Sequence, residues 1–586
     1  MNANERLSLV AVGVALACAG GTANAFETLE FDNGFRLETR INSTYTLSRR
    51  IEDQDRLLAA AAGSNDGNNN FNDGDFTSNR LALLFDGKLN RPMEGGQDMG
   101  VILSGSWFYD TAYQRTNSNR PGSGQPAGFN PNAVNKPPPF NEFTDAAERY
   151  HGGYARTLDA YAYGLFDVGG RRLSARVGRQ VVSWGEALFF PGISLAQGPA
   201  DGTKTGIPGT ETKDQLLSED QVSLSFEATP DWTLLGHWQF GFHETLAPAP
   251  GSYLNSSDAV GPGGRCLGPW VYLPQVVIPA AGVNFPGYTG CSFGIRGKDI
   301  TPSDTGQWGV GTRYRITDAT EVGLYYLNFS DRTPVPEINA FTPGVAIPPA
   351  LQPSFGGITQ IGNGSYRVRY FEDVELIGAT ASTSLGVVTV AGEVSYKDGA
   401  PVLVDTVVDP RTGRVIPNPT EGTITQANVN GFFNFGRTRL SPQTVFIAEV
   451  SYVDIGDVDA RKAPGVESFP AQVQAAFPAT KELSFDSNSA WAVSGTAALG
   501  YPNVFEGWDL NVALAYSEQI SGRTLLGGVG GEGDRRYSVG FNFLRLSNLS
   551  LGLTYLGFLG DANTTLKEFR PLVDRDQLSF IAKYSF

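Results

Sequence analysis

Methionine, cysteine and histidine are nearly missing from this chain, at three of each in 586 residues. Lysine is sparse, and past the N-terminus no run approaches the 18 or so apolar residues of a membrane-spanning helix. Each shortage excludes something. His151, His237 and His243 give no metal-ligand spacing. The last two would share a strand face about 20 Å apart, too far for one ion, so they read as polar lining. The net charge of −16 argues against nucleic acid, since phosphate binding needs a basic face. Once a leader containing Cys18 is removed, Cys266 and Cys291 remain. An even pair in an oxidising compartment is expected to form one disulfide.

The leader has a short n-region at Arg6, an apolar stretch from Leu7 to Ala19 and an A-x-A site at Ala23-Asn24-Ala25. Residues 1–25 therefore read as a cleaved signal peptide, with residues 26–586 as the exported protein. Lipidation at Cys18 is disfavoured, because Ala15 stands where a leucine is wanted. In compensation, glycine is abundant at 71 residues and aromatics reach 11%. This composition suits many strands joined by polar turns.

Alternation with period two recurs along the chain. Trp508, Leu510, Val512, Leu514 and Tyr516 share one side. So do Trp232, Leu234 and Trp238, and Trp308, Val310, Tyr314 and Ile316. Leu578, Phe580, Ala582, Tyr584 and Phe586 close the chain on an aromatic-ended strand. About 18 such strands can be marked. Connections are short after every even strand, as at Gly169-Gly170-Arg171, Pro230 and Gly386, and long after every odd one. Apolar-out, polar-in strands with this loop asymmetry are the pattern of a transmembrane antiparallel β-barrel in the outer membrane, with both termini periplasmic. The longest loop, 244–304, holds the cysteines and much apolar surface, including Trp270 and Tyr272.

One stretch breaks the rhythm. Residues 187–218 follow the fifth strand and carry Pro191, Pro199 and Pro208 with Glu211, Lys213 and Asp214. They are expected to fold into the lumen from outside. Trp184 would be an interfacial aromatic or loop anchor, and Glu186 the first charge able to tether the loop. Arg176 and Gln180 fall on one face of the fifth strand and Arg179 on the other, which puts Arg179 near a rim or a bulge. Asp159, Arg313, Arg315, Glu375, Glu393 and Glu449 are candidates for other inward faces. These charges are either wet lining or a latch in which wall arginines hold Glu186, Glu211 or Asp214.

Three motifs carry weaker messages. Gly290-Cys291-Ser292-Phe293-Gly294 satisfies G-x-S-x-G, but Pro286-Gly287 precedes it where a nucleophile elbow needs a strand. Gly202-Thr203-Lys204-Thr205 lacks the Gly-Lys step of a phosphate loop. Asp66-Gly67-Asn68-Asn69-Asn70 has oxygen ligands suited to calcium, yet Thr77 stands where a calcium loop needs glutamate, so a solvated turn is favoured. No enzyme activity, cofactor or metal is expected.

Gly178-Arg179-Gln180-Val181-Val182-Ser183-Trp184-Gly185-Glu186 resembles the hallmark of the proteobacterial outer-membrane proteins grouped as domain of unknown function 1302. Thr77-Ser78-Asn79-Arg80-Leu81, Gly306-Gln307-Trp308-Gly309-Val310, Glu393-Val394-Ser395-Tyr396 and Asp574-Arg575-Asp576 extend the resemblance over nearly the whole exported chain. It implies a Gram-negative outer-membrane barrel with lumenal inserts. It further implies a setting with a periplasmic partner and an inner-membrane transporter of the resistance-nodulation-division type, moving hydrophobic or amphipathic molecules. The alternative is a surface-binding or structural barrel.

Overall fold

The computed structural model describes residues 28–120, 135–137, 139–355, 357, 359–525, 530–546 and 548–586. The proposed leader and most of 122–140 lie outside them. Eighteen strands form the wall. They are β1 (Arg36–Arg50), β2 (Phe76–Pro92), β3 (Asp98–Asp110), β4 (Gly153–Asp167), β5 (Arg172–Gln180), β6 (Glu219–Thr229), β7 (Trp232–Gln239), β8 (Trp308–Thr317), β9 (Thr320–Asn339), β10 (Ser365–Leu385), β11 (Val388–Asp409), β12 (Arg414–Gly436), β13 (Gln443–Val458), β14 (Ser489–Phe505), β15 (Trp508–Ser521), β16 (Arg535–Arg545), β17 (Leu549–Leu559) and β18 (Gln577–Ser585). Each pairs antiparallel with the next, and β18 pairs with β1 from Asn42↔Ser585 to Arg50↔Gln577, so the barrel is closed. The expected count and order are present, and so is the loop asymmetry except between β11 and β12, which the short turn 410–413 joins.

Alternation places the faces. Val177, Leu224, Trp238, Val310, Leu324, Ile377 and Val429 are exposed on the outside, whereas Gln180, Gln221, Gln239, Glu393 and Glu449 are buried inside. A band of exposed aliphatic and aromatic side chains on a closed sheet is the surface that lipid covers, so this barrel is of the membrane-spanning kind. Glu375 is a correction. Val374 and Leu376 are buried and Thr380 pairs with Glu393, so Glu375 falls on the outer face with Ile377.

Strands β9 to β12 are longer than the 9–11 residues a span needs, at 20 to 23 residues each. They run through prolines, at Pro334 and Pro336 in β9, Pro401 in β11 and Pro417 and Pro419 in β12. The structure shows why those of β11 and β12 are tolerated. β11 pairs with β10 only up to Asp398, and β12 meets β13 only from Gly422 on. Pro401, Pro417 and Pro419 therefore sit in a hairpin beyond the wall strands, whose outer edges carry no long ladder; among the described residues only 482–484 pair with β11 there, at the Val404↔Leu483 bridge, so no ladder bond needs the missing N–H groups. Residues 399–424 thus form a tower above the wall.

The loop 244–304 reaches across the mouth. Its Ala249 amide donates to His151 Nε2 (3.1 Å), its Tyr253 amide donates to the Tyr113 hydroxyl (3.1 Å), and its Gly251 carbonyl accepts from Asn70 (2.9 Å). Cys266 and Cys291 form the expected disulfide. Its outer part packs Val271, Leu273 and Phe285 against Ile347 and Ile361 of the 340–364 connection, which covers part of its apolar surface and leaves Tyr272, Val277 and Ile278 exposed. Reduction, or Cys266→Ser, should loosen this lobe by about 3 kcal/mol, the loop-closure entropy of a bridge of this span. Limited proteolysis should show new cuts between residues 266 and 291, with the strand core unchanged.

Asp66–Asn70 is not the solvated turn expected from its polarity. It forms a short helical turn with Asp66, Gly67, Asn68 and Asn70 buried under the outer loops. A methyl at Gly67 would collide with the Ser252 carbonyl, so only glycine allows this packing.

Candidate functional site

The bore is interrupted by the segment between β5 and β6. After Gln180 the chain leaves the wall and crosses the lumen to the far arc of β11–β13. Gly185 has φ of +96° and Gly192 packs beside it; a methyl at either would press on the Glu393 carboxylate. These two glycines let the backbone close around that side chain. Glu393 Oε2 accepts from the amides of Glu186 (2.7 Å) and Ala187 (3.1 Å), and its Oε1 from Ile193 (3.1 Å). Glu449 takes the amides of Leu188 (2.5 Å), Phe189 (3.2 Å) and Phe190 (3.0 Å). Two wall carboxylates thus satisfy six consecutive or near-consecutive N–H groups of an irregular segment, charge-assisted contacts of the stronger sort. Asn428 and Asn430 add bonds to the carbonyls of Phe190 (2.8 Å) and Glu186 (2.6 Å).

Apolar packing completes this end. Trp184, Ile193 and Ala196 are buried against Tyr325, Leu327, Leu376, Val402 and Val453 of β9–β13. The Trp184 ring meets His237 edge-on at 4.9 Å and lies 5.7 Å from Tyr325.

The segment then returns to the opposite arc. The Pro208 carbonyl accepts from Thr46 (3.0 Å) and that of Gly206 from Gln577 (3.0 Å). Glu211 pairs with Lys583 of β18, and Lys213 bridges Asp86 of β2 and Asp159 of β4. Asp214 meets Ser106 (2.7 Å), Arg156 (3.0 Å) and Arg80 (3.6 Å), and Arg156 also holds Asp201 (2.6 Å). Lys204 is buried over the Phe108 ring (3.9 Å) beside Asp201. Burial pushes its ammonium down to about 7, against the pull of Asp201. The insert is therefore anchored on two facing arcs.

Two cavities flank it. On the side of the short turns, one of about 210 Å³ lies between Arg176, Arg313, Ser223, Val182, Leu235 and Trp184. On the side of the long loops, one of about 450 Å³ is lined by Tyr150, Glu244, Arg296, Asp299 and Tyr370.

A family model for a protein of unknown function (DUF1302) matches residues 6–586. The chain belongs to the DUF1302 family. No curated protein matches it in sequence. Among solved structures, Acinetobacter baumannii OccAB1 is 11% identical with a TM-score of 0.40, over 96% of this chain and 99% of that one. Pseudomonas aeruginosa OccK2 (OpdF) in complex with glucuronate is 8% identical with a TM-score of 0.38, over 96% and 99%. Pseudomonas aeruginosa OpdK with vanillate is 10% identical with a TM-score of 0.36, over 94% and 98%.

In this DUF1302 barrel the wall holds the insert partly as the sequence led one to expect. Basic wall residues do hold Glu211 and Asp214, although lysine serves the first. Glu186 is different: the wall takes its amide and carbonyl, and burial raises its half-buried carboxyl with only Arg313 opposing. Glu393 and Glu449 are acceptors for backbone, a role that charge pattern alone does not announce. Trp184 is a buried anchor inside the lumen, not an aromatic at the lipid boundary. Arg179 stands one residue from the end of β5, paired with Asp220 (3.0 Å) and His243 (3.3 Å). Gln180 is buried and exchanges amide–carbonyl bonds with Gln221. Arg313 donates to the Tyr325 hydroxyl (3.1 Å), while Arg176 and Arg315 make no ion pair among the described residues. His243 lies beyond the end of β7 and binds Glu219 (2.6 Å), so the two histidines do not share a strand.

Ser292 follows the short strand Tyr288–Cys291 with no helix after it, so the elbow geometry is missing there. Arg80, Arg156, Asp201, Asn428, Asn430 and Lys583 escaped the sequence reading. For two of them a signal existed: Gln426, Asn428 and Asn430 alternate with Ala427 and Val429, which marks one face as polar.

Proposed function

We propose that the protein is a gated outer-membrane conduit for amphipathic or hydrophobic molecules, serving a trans-envelope system with a periplasmic partner and an inner-membrane transporter of the resistance-nodulation-division type. The observation that carries this reading is the insert itself, crossing the bore and fastened to both arcs. A bare water-filled pore needs no such crossing. The lining beside the insert also suits amphipaths: guanidinium groups of Arg176 and Arg313 stand next to Val182, Leu235 and the Trp184 ring.

Reconstitution tests the reading. In proteoliposomes the intact protein should exchange a fluorescent fatty-acid analogue across the membrane while planar bilayers show only small ion conductance. Wide, unselective conductance with residues 187–218 intact would sink the idea of a gated conduit. A second reading, a surface-binding barrel, draws on the tower of β11 and β12. It predicts retention of a surface ligand by the tower and no exchange of the analogue.

A further inference from the structure

Under the outer loops lies a pocket of buried oxygen atoms that the transport reading does not use. Asp66 and Asp258 are both buried, at 3% and 0% exposure. They are close neighbours, since Asp258 Oδ2 accepts from the amide of Asp66 (3.3 Å) as well as from that of Asn65 (2.9 Å). Both oxygens of Asp66 lean on one donor, the amide of Asn135, at 3.0 Å each. Three further oxygens have no partner at all: Asp258 Oδ1, Asn65 Oδ1 and Asn135 Oδ1. The Asn135 side chain, 4% exposed, is unpartnered at both its oxygen and its nitrogen, although its own N–H grips Asp66.

No lysine or arginine makes an ion pair with either aspartate among the described residues. Lys136, the nearest cation on the Asn135 side, turns to the Pro139 carbonyl. Arg575, on the Asp258 side, bonds Asp574 (3.1 Å) and the Tyr253 carbonyl, and its unpartnered Nη2 bonds neither aspartate. Two carboxylates without an ion-pair partner, buried beside amide oxygens without donors, form an arrangement that proteins otherwise avoid. Positive charge with many oxygen bonds resolves it. The donors are all hard oxygens on irregular loops, which matches the flexible coordination of calcium and not the N/S preference of zinc. Among the described residues no group of three or more acidic, histidine or cysteine side chains is spaced for a metal, so carboxamide oxygens must complete the shell.

We propose that Asp66 and Asp258, with the side-chain oxygens of Asn65 and Asn135, bind one Ca²⁺ that ties three outer loops together. Asp66 comes from the β1–β2 loop, Asn135 from the β3–β4 loop and Asp258 from the β7–β8 loop. The ion fixes the lobe that reaches across the mouth, and it does so whatever the barrel carries.

Equilibrium dialysis of the full-length, detergent-solubilised protein after EGTA treatment tests this without any transport assay, so the conduit reading and the calcium site can fail separately. The wild type should bind one Ca²⁺ per chain with a dissociation constant of about 10⁻³ M or tighter, the range of extracellular sites. Ca²⁺ should also slow proteolysis within residues 51–75 and 244–265. Asp258→Asn should weaken binding at least tenfold, and Asp73→Asn, in the same loop outside the cluster, should leave it unchanged. Absence of stoichiometric binding by the wild type would overturn the proposal and assign a shared proton to the pair. Undiminished binding by Asp258→Asn would overturn it equally. Should that variant misfold, the wild-type stoichiometry still decides.

Discussion

Alanine at both Glu393 and Glu449 should turn a tight barrel into a leaky one. The two carboxylates accept six backbone N–H groups between Glu186 and Ile193. Each N–H stranded in a dry site costs about 1–3 kcal/mol, so three lost per glutamate outweigh the two asparagine bonds left at that end. Residues 186–193 should lift off β11–β13 while the salt bridges of Glu211, Lys213 and Asp214 keep the other end attached. Single-channel conductance in planar bilayers should rise several-fold for the double variant and less for either single one. Glutamine, which keeps an acceptor oxygen, should fall between alanine and wild type. An unchanged conductance in the double alanine variant would show that the insert is held by its apolar contacts alone.

Trp184→Ala should be the most damaging single change to those apolar contacts. The indole is buried among His237, Tyr325 and Ile193, and truncation of a buried aromatic costs about 3–5 kcal/mol. Phe190 is buried at the same end of the intact insert, which shields the Phe189–Phe190 bond from chymotrypsin. Cleavage after Phe189 should therefore accelerate sharply in Trp184→Ala. The comparison is Trp238→Ala, on the lipid-facing side at 58% exposure, which should leave that rate unaltered. Equal effects from the two would return Trp184 to the role of a boundary aromatic.

The wall was legible because two solvents enforce it. Lipid outside and water inside impose a period of two on every span, so Trp308, Val310 and Tyr314 announced their face without help. The tower was less legible. Pro401, Pro417 and Pro419 break a strand only where both edges are paired, and whether an edge is free depends on the lengths of neighbouring strands. The insert was visible as an interruption at 187–218, and Glu211 and Asp214 stood out as charges in need of partners. The grip of Glu393 and Glu449 was beyond reach, since an acceptor for main-chain amides leaves no pattern in the chain that donates them. Asp66 shows the same limit: polar composition cannot tell a hydrated turn from a buried one packed under a distant loop.

The anchoring of the insert also fixes when it can form. Its bonds to Glu393 and Glu449 join residues 200 or more positions apart, and those to Lys583 and Gln577 more than 370. The end held by Glu393 and Glu449 has no docking surface until β11–β13 have been laid down, and the other end, although β2–β4 offer it partners early, is complete only when β18 has closed on β1. Long-range contacts of this kind form late, because the entropy of closing such loops is lost before any contact offsets it. Seating of residues 181–218 should thus be the last event of assembly, and a newly closed barrel should pass through a stage in which its bore is open.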